Sequence, residues 1–129
     1  MIGNPYQQYK EQGILTASPL ELIVLLYDGC IKQIKLAKLH MEAGSYQDAN
    51  RSLQRAQDIV TELSSSLDFQ YDISHELVAI YEFVLRSLME VNATKETGPV
   101  DEIITILAEL RDAWSAVGKT TRSGLALEE

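Results

Sequence analysis

The chain has 129 residues, 46% of them hydrophobic and 23% charged, enough for one compact domain with a real core and too few for two. Eleven Lys and Arg against nineteen Asp and Glu leave a formal charge of −8, which argues against a footprint on nucleic acid or an acidic membrane surface. The single cysteine, Cys30, excludes an intrachain disulfide and leaves too few thiols for a zinc cluster.

Seven glycines and three prolines fall in clusters that divide the chain into five segments. The first, Pro5 to about Gln12, is short and polar, carries Tyr6 and Tyr9 at i, i+3, and ends at Gly13 before Ile14 and Leu15. Such an amphipathic piece on a glycine tether reads equally as a movable cover over an apolar groove or as a permanently packed first helix. The second segment starts at Ser18-Pro19, a cap followed by a proline at the first helical position, and runs to Ala43. Gly44 supplies its left-handed stop. One apolar stripe on it is Leu20, Val24, Tyr27, Ile31, Ile34 and Met41; another face carries Leu22, Leu25, Leu26, Leu36 and Leu39. A helix apolar around most of its circumference is buried on more than one side, as a central helix or with one face left as a docking groove.

Ser45-Tyr46-Gln47-Asp48 reads as a weak capping box opening the third segment, which reaches about Asp68. Its apolar residues Ala49, Leu53, Ala56, Val60, Leu63 and Leu67 recur at spacings of three and four. The fourth segment begins at Asp72 or Ser74, ends near Asn92, and repeats the pattern with Leu77, Ile80 or Tyr81, Val84, Leu88 and Val91. After Gly98-Pro99 the fifth shows Val100, Ile103 or Ile104, Leu107, Leu110, Trp114 and Val117, and stops before Gly118. These are helical stripes, not strand alternation. Short connections make the fold all-α: an antiparallel up-down bundle of four long helices with a short N-terminal helix. Residues 1–118 form the domain, 1–15 its movable cap, and 119–129, without periodicity, a flexible tail.

The N-terminus lacks the charged and apolar regions of a signal peptide, and no apolar run approaches the roughly 18–20 residues of a membrane span, so a cytoplasmic protein without membrane insertion is expected. Residues 1–57 carry six basic and five acidic side chains; residues 58–129 carry five and fourteen. That acidic half is either a solvated face or a surface that steers a basic partner.

Catalytic sets are missing from the sequence. Asp72-x-x-His75 has the spacing of a di-metal bundle motif but no second copy, and neither a phosphate loop nor a nucleophile elbow is present. Cys30, between Tyr27 and Ile34, reads as a buried small hydrophobe. His40 and His75 each have an acidic neighbour, poor company for a phosphorylated imidazole, though a histidine phosphotransfer domain stays a rival reading. A structural homodimer using the spare face of the second helix is the other.

Thr16-Ala17-Ser18-Pro19-Leu20-Glu21-Leu22, continuing to Leu26-Tyr27-Asp28-Gly29, resembles the signature of the FliS family of flagellin-specific export chaperones, with Tyr6 or Tyr9 matching its upstream tyrosine. Gln54 to Val60, Glu62-Leu63 and Leu67-Asp68 are similar to the family's third helix, and Leu107 to Trp114 to its closing helix. Four pieces in order span Tyr6 to Val117. Departures are slight: Ile80-Tyr81 stands for Leu-Tyr, Val91-Asn92 for Ala-Asn, and Cys30 for a small residue.

The resemblance implies a chaperone without enzymatic activity or cofactor. Its client would be the disordered C-terminal segment of flagellin, held from premature polymerisation and presented to the flagellar export gate. It also implies an N-terminal segment that occupies part of the client groove when empty. On this footing Tyr6, Tyr9, Ile14 and Leu15 form the cover. Leu22, Leu25 and Leu26, with Ile59, floor the groove, Asn50 and Arg55 hold client backbone, and Asp28 anchors the N-terminal turn. Val24, Leu53, Leu63, Val84, Leu107, Leu110 and Trp114 belong to the core.

Overall fold

Four helices follow one another in the described part of the chain: α1 (Pro19–Glu42), α2 (Tyr46–Ser65), α3 (Asp72–Thr94) and α4 (Val100–Glu128). The computed structural model describes the backbone of residues 19–128 and the side chains of 19–117. The first segment, with Tyr6, Tyr9, Ile14, Leu15 and the cap Ser18, lies outside the described residues.

The ends of the helices follow from local chemistry. Gly44 takes φ +75°, and the Ser45 N–H reaches the His40 carbonyl at 2.8 Å while the Gly44 N–H reaches Met41 at 3.1 Å. This is the paired closure that satisfies the last carbonyls of a helix. The capping box expected at Ser45 does not form: the Ser45 side chain makes no cap bond, and the Asp48 carboxylate is taken by Arg51 one turn on. Between α2 and α3 the turn is organised by Asp68. Its carboxylate accepts the Gln70 N–H at 3.0 Å, and its carbonyl accepts the Ser74 hydroxyl at 2.6 Å. Lys95 ends α3 in the left-handed region, φ 56°, with its ammonium donating back to Asn92. α4 continues past Gly118, where the sequence pattern stops, to Glu128. This stretch holds Gly118 and Gly124, each costing about 1 kcal/mol relative to alanine in a helix interior.

Two ion pairs fix the direction of packing. Asp28 and Lys38 of α1 meet Arg111 and Asp101 of α4 at 2.9 and 3.0 Å, so α1 ascends as α4 descends. Asp28 therefore ties α1 to α4, beside a guanidinium that the periodicity of either helix alone does not reveal; the N-terminal turn it is expected to anchor lies outside the described residues. α1 packs on α2 and α4, and α2 packs on α3, while α3 and α4 approach closely in few places. The ring of four helices thus has three tight seams and one loose one. The core between them is complete: Tyr27, Cys30, Ile34, Leu53, Val60, Val84, Leu88 and Leu107 are among its buried members. Val24, Leu110 and Trp114, expected inside, are half-buried at its margins.

Candidate functional site

Among the described residues, exposed apolar surface gathers in three places. The first is the loose seam. Ala79, Ile80 and Phe83 of α3 face Ile106, Glu109 and Leu110 of α4 across a trough of about 480 Å³, and Phe83 keeps 43% of its surface exposed. The core stripe of α3 takes Tyr81 inward and leaves Ile80 on the rim, and α4 likewise turns Ile103 inward and leaves Ile106 out. Each helix thus carries a second, narrower stripe beside its core stripe.

The second place is the end of the bundle where α1 begins. Ile23, Leu63, Leu67, Tyr71, Ile73, Leu77, Tyr81 and Trp114 line a pocket of about 270 Å³ there. Tyr71 and Ile73 are 64% and 53% exposed at its mouth. Tyr71 immediately precedes α3 and Ile73 lies in its first turn, beside the Asp68 turn. The third is the outer face of α1, where Ile31, Leu36 and Leu39 lie between Asp28, Lys32 and Lys35 around a shallow hollow of about 370 Å³. The two-faced apolar character of this helix divides between core and exposed surface. Its middle is buried against α2 and α4, and Leu39 remains 61% exposed.

The residues singled out in the sequence are distributed unevenly over this surface. Leu22 and Leu25 are half-buried near the start of α1, while Leu26 and Ile59 are buried core members at 4% and 2% exposure. Asn50 is half-buried, and its side-chain oxygen accepts the Asn92 amide at 2.7 Å, so it bridges α2 to α3. It lies nine residues before Ile59, roughly 14 Å along the axis at the helical rise. Arg55 is exposed on α2. Leu22, Leu25, Leu26 and Ile59 thus share one end of the bundle, because Cys30 sits beside Ala56 and the two helices are antiparallel. Phe83 and Ile106 were not singled out. Their signal was the offset stripe, Ile80-Phe83 and Ile106-Leu110, running beside the core positions.

Titratable groups in the interior serve packing. The Tyr27 phenol is raised well above its ordinary range by burial first and by the neighbouring Tyr81 oxygen second. Tyr81 is also raised by burial, with its hydrogen bond to Tyr27 pulling the other way. Burial pushes the Cys30 thiol up to about 12, so it stays protonated beside the Ala56 carbonyl. His40 and His75 sit on different helices, and the His75 ring rests against Phe69 with centroids 5.2 Å apart. Among the described residues no cluster of three or more His, Cys, Asp or Glu is placed to hold a metal ion, and no helix is long and apolar enough to cross a membrane.

Comparison with known proteins agrees over nearly the whole chain. Residues 2–121 match the family described as Flagellar protein FliS. The flagellar secretion chaperone FliS of Bacillus subtilis is 34% identical over 121 residues, covering 94% of this chain and 91% of that protein. The Escherichia coli protein of the same name is 28% identical over 107 residues, covering 81% and 79%. Among solved structures, a crystal structure of a flagellar chaperone from bacteria superposes with a TM-score of 0.75 over 89% of this chain and 95% of that one, at 22% identity.

Proposed function

The chain belongs to the FliS family of flagellar secretion chaperones, and from that premise we propose that its client is the disordered C-terminal segment of flagellin. It is a chaperone, not an enzyme. In this reading it works in the cytoplasm, keeps flagellin from polymerising early, and helps bring it to the flagellar type III export apparatus.

The observation that carries the reading is apolar surface left open beside a finished core. Amphipathic helices that find their partners only in an assembled filament expose an apolar stripe while they wait. A groove with anchors at i, i+3, i+4 and i+7 covers such a stripe. Ordering a free segment costs about 2–5 kcal/mol and calls for a contact on the order of 1,000–3,000 Å². The seam trough, whose α3 wall runs only from Ala79 to Phe83, is too short for that alone. A segment that wraps from the α1 end of the bundle onto the α3–α4 seam adds the end pocket to that contact. Leu22 and Leu25, backed by Leu26 and Ile59, then form part of its floor, with Arg55 a polar contact and Asn50 acting through its bridge to Asn92.

Residues 1–15, with Tyr6, Tyr9, Ile14 and Leu15, are proposed as the cover that the client displaces. The chain enters α1 four residues before Ile23, which lines the end pocket. Eighteen residues reach up to about 60 Å when extended, ample to lie over either opening. Displacing such a cover subtracts from client affinity and eases later release.

The test is titration of the full chain with a C-terminal flagellin peptide, followed by calorimetry and circular dichroism. Heat release with a gain of helix supports the reading; no heat at high micromolar peptide overturns it. Light scattering on the free chain separates a monomeric chaperone from the homodimer alternative.

A further inference from the structure

Two of the apolar openings on the surface of the bundle have borders of opposite sign. On the outer face of α1 the lips are Lys32 and Lys35, and the nearby Asp28 carboxylate is already paired with Arg111. On the α3–α4 trough Glu109 is part of the wall. Glu76 precedes Ile80 by one turn and Glu102 precedes Ile106 by one turn, so both continue the trough-facing rows of their helices, and both are exposed. Glu90, seven residues beyond Phe83, extends the same row, with Arg86 between them as the opposing cation.

We propose that the α3–α4 trough takes an amphipathic helix whose apolar face is flanked by Lys or Arg. Resting on the client reading above, this is the helical piece of the flagellin segment that docks there. The floor of Ile80, Phe83, Ile106 and Leu110 supplies the affinity, since exposed ion pairs are individually weak and screened beyond about 8 Å at physiological salt. The acidic lips supply the choice. A helix with acidic flanks meets like charge on both walls, whereas one with basic flanks is drawn in and held in register. The α1 face, with lysines on its lips, has the reverse preference, so a segment with one basic-flanked piece has one place to put it.

The test uses two designed peptides with identical leucine positions at i, i+3, i+4 and i+7, one flanked by Lys and the other by Glu, titrated into the full-length chain. The Lys-flanked peptide is expected to bind roughly tenfold more tightly at low salt, with the gap narrowing at high salt. Glu109→Lys should abolish that gap, Phe83→Ala should weaken the Lys-flanked peptide, and Lys35→Glu on α1 should leave its binding at the seam unchanged. All three positions are exposed, and circular dichroism checks that the fold persists. Affinity of the Lys-flanked peptide that follows Lys35→Glu and ignores Glu109→Lys overturns the proposal. The flagellin peptide is measured alongside. If it binds the parent and Glu109→Lys alike, the placement falls while the client reading stands. If it fails to bind while the Lys-flanked peptide still requires Glu109, the preference of the trough stands and the client reading falls.

Discussion

The hydroxyl oxygens of Tyr27 and Tyr81 meet 2.5 Å apart in the middle of the bundle, joining α1 to the helix diagonally opposite. The two helices share no close backbone approach, and the two phenols meet end to end between them. Each ring is buried; the Tyr81 hydroxyl depends on Tyr27, while Tyr27 also has a hydrogen bond with the Trp114 side chain.

Removing the Tyr27 hydroxyl alone should therefore cost more than removing both. Tyr27→Phe leaves the buried Tyr81 hydroxyl without its partner, at about 1–3 kcal/mol. Tyr81→Phe leaves Tyr27 its bond with Trp114 and should cost less, and the double substitution should recover much of the loss of Tyr27→Phe. Urea unfolding of the four members of the cycle measures the coupling.

The same burial makes the fold sensitive to alkali. Both phenols are raised in the folded state, and the unfolded chain ionises them near their ordinary pH of 10. Their contribution is complete below that pH and is lost as pH rises through the folded values, at up to about 1.4 kcal/mol per pH unit for each group. Cys30 acts in the same direction and earlier, from its ordinary 9 up to about 12. Stability measured against pH should begin to fall near 9 in the parent and near 10 in Cys30→Ala.

Cys30 also reports on opening. With no exposure and a protonated thiol, it should react with a disulfide reagent only as fast as the bundle opens, far slower than a free thiol. Rapid stoichiometric labelling under native conditions would contradict its place in the core.

Two glycines should respond to alanine with opposite signs. Neither has any atom within 4 Å of where a Cβ would stand, so only backbone preference decides. Gly44 lies at φ +75°, and Gly44→Ala should destabilise by about 1 kcal/mol. Gly98 lies outside the left-handed region, and Gly98→Ala should stabilise by about 0.4–1 kcal/mol by stiffening the unfolded chain. Thermal melts of both variants check the pair.

Core and rim should separate by stability. Leu107→Ala, at a fully buried position, should cost about 2–5 kcal/mol, while Leu39→Ala, mostly exposed, should stay within about 0.5 kcal/mol. Chemical denaturation distinguishes them.

What the sequence made legible was what a single helix knows about itself. The stripes Leu53–Ala56–Val60–Leu63 and Leu77–Tyr81–Val84–Leu88 are the buried rows of α2 and α3, and Gly44 is the left-handed stop. What stayed hidden depends on how one helix stands against another. Asp28 and Arg111 are 83 residues apart, and nothing in either local pattern announces their pairing. The trough behind Phe83 and Ile106 exists because two helices diverge, and divergence has no periodicity. Asn50 looks like a polar surface residue until its partner Asn92 is in view.

The uneven closure of the ring has a mechanical meaning. With stability concentrated in three joints, the fourth works like the gap left for a missing stave, and whatever is seated there completes the barrel without first dismantling it. On the docking proposed above, a client piece can enter and leave that edge while the three tight joints stay in place, so the bundle keeps its fold between clients.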